Sequence, residues 1–266
     1  PISKGGQHGS ASGEGLGRIL TVALGLCLVC SVVVSTAAVV LKPAQQANKT
    51  LDLKRNILMA AGLLDPALSV EEQFEQVETR VVSLDEGRFV EGVDPASFDQ
   101  REAAKDPAQS RAIPGDADPA KLVRREDQAL VYLVRDQQGG LDKIILPIRG
   151  YGLWSTLYGF MALESDGNTV AGLGFYEHAE TPGLGGEVDN PNWKAIWPGK
   201  QIYQGEQVAI QVLKGAVPAG SANAQWQVDG LSGATLTTKG VDNLVRYWMG
   251  DQGFKPLLEN LRRGEA

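Results

Sequence analysis

Cysteine and histidine are both scarce in this 266-residue chain: Cys27 and Cys30, His8 and His178. Two cysteines exclude a disulfide-built scaffold and a multi-cysteine zinc or iron–sulfur fold. Two histidines argue against a multi-histidine haem or copper centre. Positive charge is in the minority, with 25 Lys and Arg against 32 Asp and Glu and a formal net charge of −7. Phosphate affinity comes from clustered Lys and Arg, so nucleic acid is a poor candidate partner. Hydrophobic residues make up 43% of the chain, ample for one large domain or two small ones.

What the chain does have is one long apolar run. Residues 19–41, ILTVALGLCLVCSVVVSTAAVVL, are 23 residues without a charge. As a helix they span roughly 35 Å, enough to cross a bilayer. In lipid every backbone amide must be satisfied within the segment, which favours a helix. Ser35-Thr36-Ala37-Ala38 resembles a signal-peptidase site, but the apolar part of a signal peptide is about 7–15 residues, so a retained anchor is expected. Lys4 and Arg18 precede the run; Lys42, Lys49, Lys54 and Arg55 follow it. A literal positive-inside count puts the C-terminal part in the cytoplasm, but long domains largely escape that rule, and composition leaves the side open.

Residues 1–18 read as a polar tail. Residues 42–124 read as membrane-proximal helices and an extended connection. Leu51, Leu53, Ile57, Leu58 and Leu64 give a loose helical pattern, and Ser69-Val-Glu-Glu starts a second short helix with a capping box. Asp94-Pro95, Asp106-Pro107 and Asp118-Pro119 punctuate the irregular stretch 91–126. From 125 to 266 strand signals dominate. Strands at 129–134 and 143–148 flank one hairpin turn; strands at 154–163 and 169–176 flank another. Shorter strands follow at 207–213 and 225–228, then helices at 236–249 and 255–262. The expected fold is α+β: one transmembrane helix, then a domain with a mainly antiparallel sheet and flanking helices. Its core is expected to begin near residue 125.

Three segments could carry chemistry. Asp229-Gly230-Leu231-Ser232-Gly233-Ala234-Thr235-Leu236-Thr237-Thr238 runs from a short strand into a helix. Amides at such a helix start bind anions, but Ser and Thr there are also ordinary caps. His178-Ala179-Glu180-Thr181-Pro182-Gly183-Leu184-Gly185 follows a strand. His178 and Glu180 could do proton work, although one His and one Glu are too few for a zinc site; the alternative is a surface turn. Gly152-Leu153-Trp154-Ser155 could cradle a flat ring or simply join the core. Cys27 and Cys30 share a helix face and are read as apolar positions rather than ligands, so no metal is expected. Asn48-Lys49-Thr50 is read as a chance sequon.

These segments, in their order along the chain behind one membrane helix, resemble the covalent FMN-binding domain family. Within it they are most similar to the C-subunit family of bacterial sodium-translocating NADH:quinone reductases. The G-subunit family of RNF electron-transport complexes shares the Asp229–Thr235 and His178–Gly185 segments. The resemblance implies a covalent FMN, its phosphate esterified to Thr235, with Ser232, Gly233 and Ala234 lining the phosphate turn and Thr238 nearby. It implies that Asp229 serves recognition by a separate flavin transferase. It places Leu153, Trp154, Ser155, Glu180, Thr181, Gly183, Leu184 and Gly185 around the flavin. It further implies a one-electron carrier within a multi-subunit membrane complex, coupled there to sodium export from NADH and ubiquinone chemistry. The flavin domain would lie on the periplasmic side of a bacterial inner membrane. An RNF-type protein, a membrane-anchored binding domain without redox activity, and a hydrolase using His178 and Glu180 are the competing readings.

Overall fold

The computed structural model describes residues 13–266. They divide into two units, one ending at Thr50 and one comprising Leu51–Ala266. The first is helical. Helix α1, Gly13–Ala60, contains the whole uncharged run and continues through Pro43. Every side chain from residue 15 to residue 50 is exposed. Among the described residues α1 is the one helix long and apolar enough to cross a membrane. The chain is membrane-anchored by this single span. The tail expected for residues 1–18 lies mostly outside the described residues, and its last six are helical. Cys27 and Cys30 are unpaired and exposed on α1.

The second unit is α+β. Helix α2, Val70–Phe74, starts at the expected capping box: Ser69 Oγ accepts the Glu72 amide at 3.2 Å and the Glu72 carboxylate accepts the Ser69 amide at 3.1 Å. Strands β1, Val77–Ser83, and β2, Arg88–Phe89, follow. Helix α3 is Gln100–Ala103, and β3, Ser110–Ala112, pairs with β4, Arg124–Glu126. Then come β5, Gln128–Arg135, β6, Leu141–Tyr151, β7, Thr156–Glu164, and β8, Val170–Glu177. Helix α4 is Pro191–Lys194. Four two-residue strands follow: β9, Tyr203–Gln204, β10, Gln207–Val208, β11, Gln211–Val212, and β12, Gln227–Val228. Helices α5, Thr235–Trp248, and α6, Lys255–Arg263, end the chain.

Six strands form one antiparallel sheet in the order β2-β1-β5-β6-β7-β8. Both expected hairpins are present. The first turn closes with the Asp136 amide on the Gly140 carbonyl, the second with the Gly167 amide on the Glu164 carbonyl. Successive side chains on a strand point to opposite faces, so each face gathers its own core. Ile144, Leu146 and Ile148 of β6 pack with Leu244 and Trp248 of α5 and Leu258 of α6. Ile145, with Tyr132 and Phe160, packs instead with Ile57 and Leu58 at the end of α1.

Three features depart from the expectation. The sheet does not begin near residue 125, because β1 is its second strand and pairs along its length with β5. The stretch 91–126 is not wholly irregular, since it folds into α3 and the β3–β4 ribbon. Strand β7 starts at Thr156 rather than 154, because residues 153–155 form a loop tied elsewhere.

Candidate functional site

The three segments singled out in the sequence come together where β6 ends, β8 ends and α5 begins. Their meeting point is Glu180. The strand β8 stops at Glu177, and three residues later the Glu180 side chain is buried, 5% exposed. Its Oε1 accepts the amides of Leu153 at 3.1 Å, Trp154 at 2.9 Å and Ser155 at 3.1 Å. The Ser155 hydroxyl adds a longer bond at 3.3 Å. Its Oε2 accepts the Thr237 hydroxyl at 2.7 Å. Burial by itself would raise the carboxyl's pKa; the Thr237 hydroxyl and the Trp154, Ser155 and Leu153 amides outweigh it and hold the group below the usual carboxylate range.

The turn before α5 is built by its own residues. The Ala234 amide bonds the Leu231 carbonyl at 3.2 Å. Thr238 is buried and its hydroxyl accepts the Leu231 amide at 3.0 Å, so it stands behind the turn. Gly233 sits at φ +73°, a left-handed conformation that favours glycine. Asp229 is half-buried and its Oδ1 accepts the Val217 amide at 2.7 Å. The result is that Ser232, Gly233 and Thr235 are exposed while Ala234 is buried. Thr235 is the first residue of α5, and the N-cap position, Ala234, offers no side-chain bond to the helix's first amides. Unsatisfied amides at a helix start attract an anion. A free hydroxyl stands beside them.

Large apolar side chains are left exposed on each of the three segments: Trp154 at 66%, Leu184 at 45% and Leu236 at 58%. Thr181, Pro182 and Gly183 are exposed as well, while Gly185 is buried. The Thr181 carbonyl accepts the Leu184 and Gly186 amides, which closes this turn. Leu153 is half-buried. Exposed apolar rims of this kind mark ligand or partner contacts.

His178 does not pair with the Glu180 carboxylate. Its Nδ1 accepts the Glu180 amide at 3.2 Å, which leaves Nε2 facing Asp189 Oδ2 at 2.8 Å. With the Glu180 carboxylate filled by donors, the two residues do not form the proton-handling pair of a hydrolase. Leu236 and Thr237 lie in the first candidate segment, but neither the exposure of Leu236 nor the Thr237 bond to Glu180 was read from the sequence. Thr237 carries one legible signal, a hydroxyl on the buried stripe of α5 with Val241 and Leu244.

Residues 152–250 match the FMN-binding domain family. Over 261 residues the chain is 55% identical to the C subunit of the Na(+)-translocating NADH-quinone reductase of Pseudomonas aeruginosa, covering 96% of this chain and 100% of that one. It belongs to that C-subunit family. The counterpart from Vibrio vulnificus is 48% identical over 256 residues, covering 96% of this chain and 98% of its own. The crystal structure of Shewanella oneidensis NqrC, 35% identical, superposes with a TM-score of 0.75 over 82% of this chain and 99% of its own. A member of the C-subunit family thus carries its family-matched segment from the Gly152 loop through α5, the span that the Glu180 bonds tie together.

Proposed function

We propose that this chain is the electron-carrying C subunit of a Na(+)-translocating NADH-quinone reductase and that it holds FMN as a phosphoester on Thr235. The observation that carries the reading is Thr235 itself: an exposed hydroxyl on the first residue of an uncapped helix, within the FMN-binding match. The residues fit such a group. Uncapped amides of α5 would offset the phosphate charge. Gly233, at its positive φ, lets the backbone turn tightly beside it. Ser232 and Ala234 would border the phosphate. Trp154, Leu184 and Leu236 would flank the ring and limit water, with Leu153, Ser155, Thr181, Gly183 and Gly185 framing them.

FMN, when bound, supplies the redox chemistry, which no side chain of this set could supply. The protein's part is to hold it where partner subunits can exchange electrons with it. A covalent link stops its loss during turnover. In this reading a separate flavin transferase makes the bond, the flavin-bearing unit faces the periplasm of a bacterial inner membrane, and sodium export belongs to the assembled complex.

The test is to express the chain with a flavin transferase, denature it, run it on a gel and read flavin fluorescence, with Thr235→Ala beside it. Fluorescence in the parent and none in the variant supports the phosphoester at Thr235. No fluorescence in either, with the transferase shown active on another substrate, overturns it. Fluorescence retained in Thr235→Ala moves the attachment site.

A further inference from the structure

Glu180 joins all three site segments, and both its oxygens accept hydrogen bonds from within the protein. Its donors come from the 153–155 loop and from α5, 25 to 27 and 57 residues distant in sequence. The backbone is cut to receive it. A Cβ on Gly152 would stand 2.7 Å from Glu180 Oε1, and one on Gly185 would stand 2.7 Å from Oε2 and 2.5 Å from Thr237 Oγ1. These glycines make room for a carboxylate, which is a separate reason for their place in the motifs. Trp154 shows the consequence. Its side chain is 66% exposed, but its backbone amide is anchored at 2.9 Å to a buried anion.

All five hydrogens on Glu180 come from neutral donors: three amides and two hydroxyls. They stabilise the negative form without cancelling its charge. A protonated acid would set its own O–H against one of these donors. The charge is buried beside the first turn of α5, bonded to a side chain two residues from Thr235, where solvent screens it poorly.

We propose that Glu180 is a positioning residue: its carboxylate ties the 153–155 loop to the first turn of α5, and its charge lowers the reduction potential of a flavin held at Thr235. The first part concerns the protein alone. The second rests on the attachment reading above. Reducing a flavin adds negative charge near the carboxylate, so removing that carboxylate makes reduction easier.

The experiment uses the full chain in detergent and reads two quantities in Glu180→Gln. In the flavin-free chain, hydrogen exchange at the Leu153, Trp154 and Ser155 amides is expected to speed up by about ten-fold or more, as an ionised acceptor is lost. In the flavinylated chain, the FMN midpoint potential is expected to rise. Glu177→Gln removes a carboxylate three residues earlier that is exposed and paired with Arg101; both readings should stay at the parent values. Glu180→Asp retains the charge on a shorter arm, and keeps the test open if the glutamine variant does not fold: its exchange should speed up with a smaller rise in potential. Unchanged exchange in a folded Glu180→Gln overturns the tie. A potential equal to or below the parent's overturns the charge effect. If no covalent flavin forms in the parent, the attachment reading has failed, while the exchange measurement still decides the tie.

Discussion

The Asp229 carboxylate is bonded to the Val217 amide at 2.7 Å. The same residue's carbonyl accepts the Trp193 indole N–H at 2.8 Å. Asp229 therefore holds the Val217 loop and helix α4 against the turn that precedes Thr235. Replacing it by Ala strands the Val217 N–H and should cost about 1–2 kcal/mol. Asp229→Asn keeps an acceptor oxygen and should lose less. Urea unfolding midpoints of the two variants at unchanged slope would check this. If transferase recognition also depends on the charge, Asp229→Asn will keep stability but lose flavin incorporation.

Gly233 makes a second prediction about the same turn. At φ +73° an L-residue is strained by about 1–2 kcal/mol. A new Cβ would also stand 3.2 Å from Leu184 Cδ2, so Leu184 would have to shift. Gly233→Ala should leave the fold intact, because the turn is exposed, but slow covalent flavin attachment several-fold. The rate at which gel fluorescence appears with the transferase is the measurement. An unchanged rate would mean that the turn's shape does not matter to attachment.

The pH dependence of stability follows from Glu180. Its folded-state pKa is depressed below the ordinary 4.5, despite burial, by the Thr237 hydroxyl and the loop amides. A depressed carboxylate contributes stability that is fully present above its unfolded pKa and lost as pH falls through the folded one. Parent and Glu180→Gln should therefore differ most above about pH 4.5, and the difference should shrink as pH falls below that value. Thermal unfolding across an acid series reads this directly. A difference that stays constant with pH would show that folding leaves the group's pKa unshifted, and one that grows as pH falls would show it raised.

The two hairpins were legible because their turns are chemically marked: Gly139 at φ +83° and Gly167 at φ +63° sit where the sequence placed turns. The three site segments stood out for the same reason, since each is dense in small residues, while the family resemblance implied that they form one site. Strand β1 was not. Its run Glu78-Thr79-Arg80 breaks the apolar alternation, and the break is covered by tertiary contacts: Arg80 pairs with Glu78 and lies over the Phe89 ring. Nor could any spacing rule show that Glu180 turns inward. Its partners are set by how β6, β8 and α5 converge, which is a property of the fold rather than of a local pattern.

The packing of the end of α1 on the sheet gives the last prediction, and two glycines on one strand separate its causes. Gly172 and Gly174 lie two apart on β8 and so share a face. A Cβ on Gly172 would collide with the Ala60 carbonyl oxygen, a backbone atom that cannot swing away. A Cβ on Gly174 would meet the Ala60 Cβ at 3.8 Å, an ordinary contact. Gly172→Ala must push the last turn of α1 off β8, loosening Ile57 and Leu58 from Ile145 and Phe160. Overpacking of this kind costs about 1–3 kcal/mol. In a unit of this size each kcal/mol lowers the melting temperature by roughly 2–4 °C. Gly174→Ala should melt within a degree or so of the parent, since it adds contact without collision. If the two variants melt alike, the last turn of α1 yields to the added methyl group and the closeness of α1 costs nothing. If only Gly172→Ala falls, the end of α1 is packed tightly enough on the sheet to resist a single methyl group.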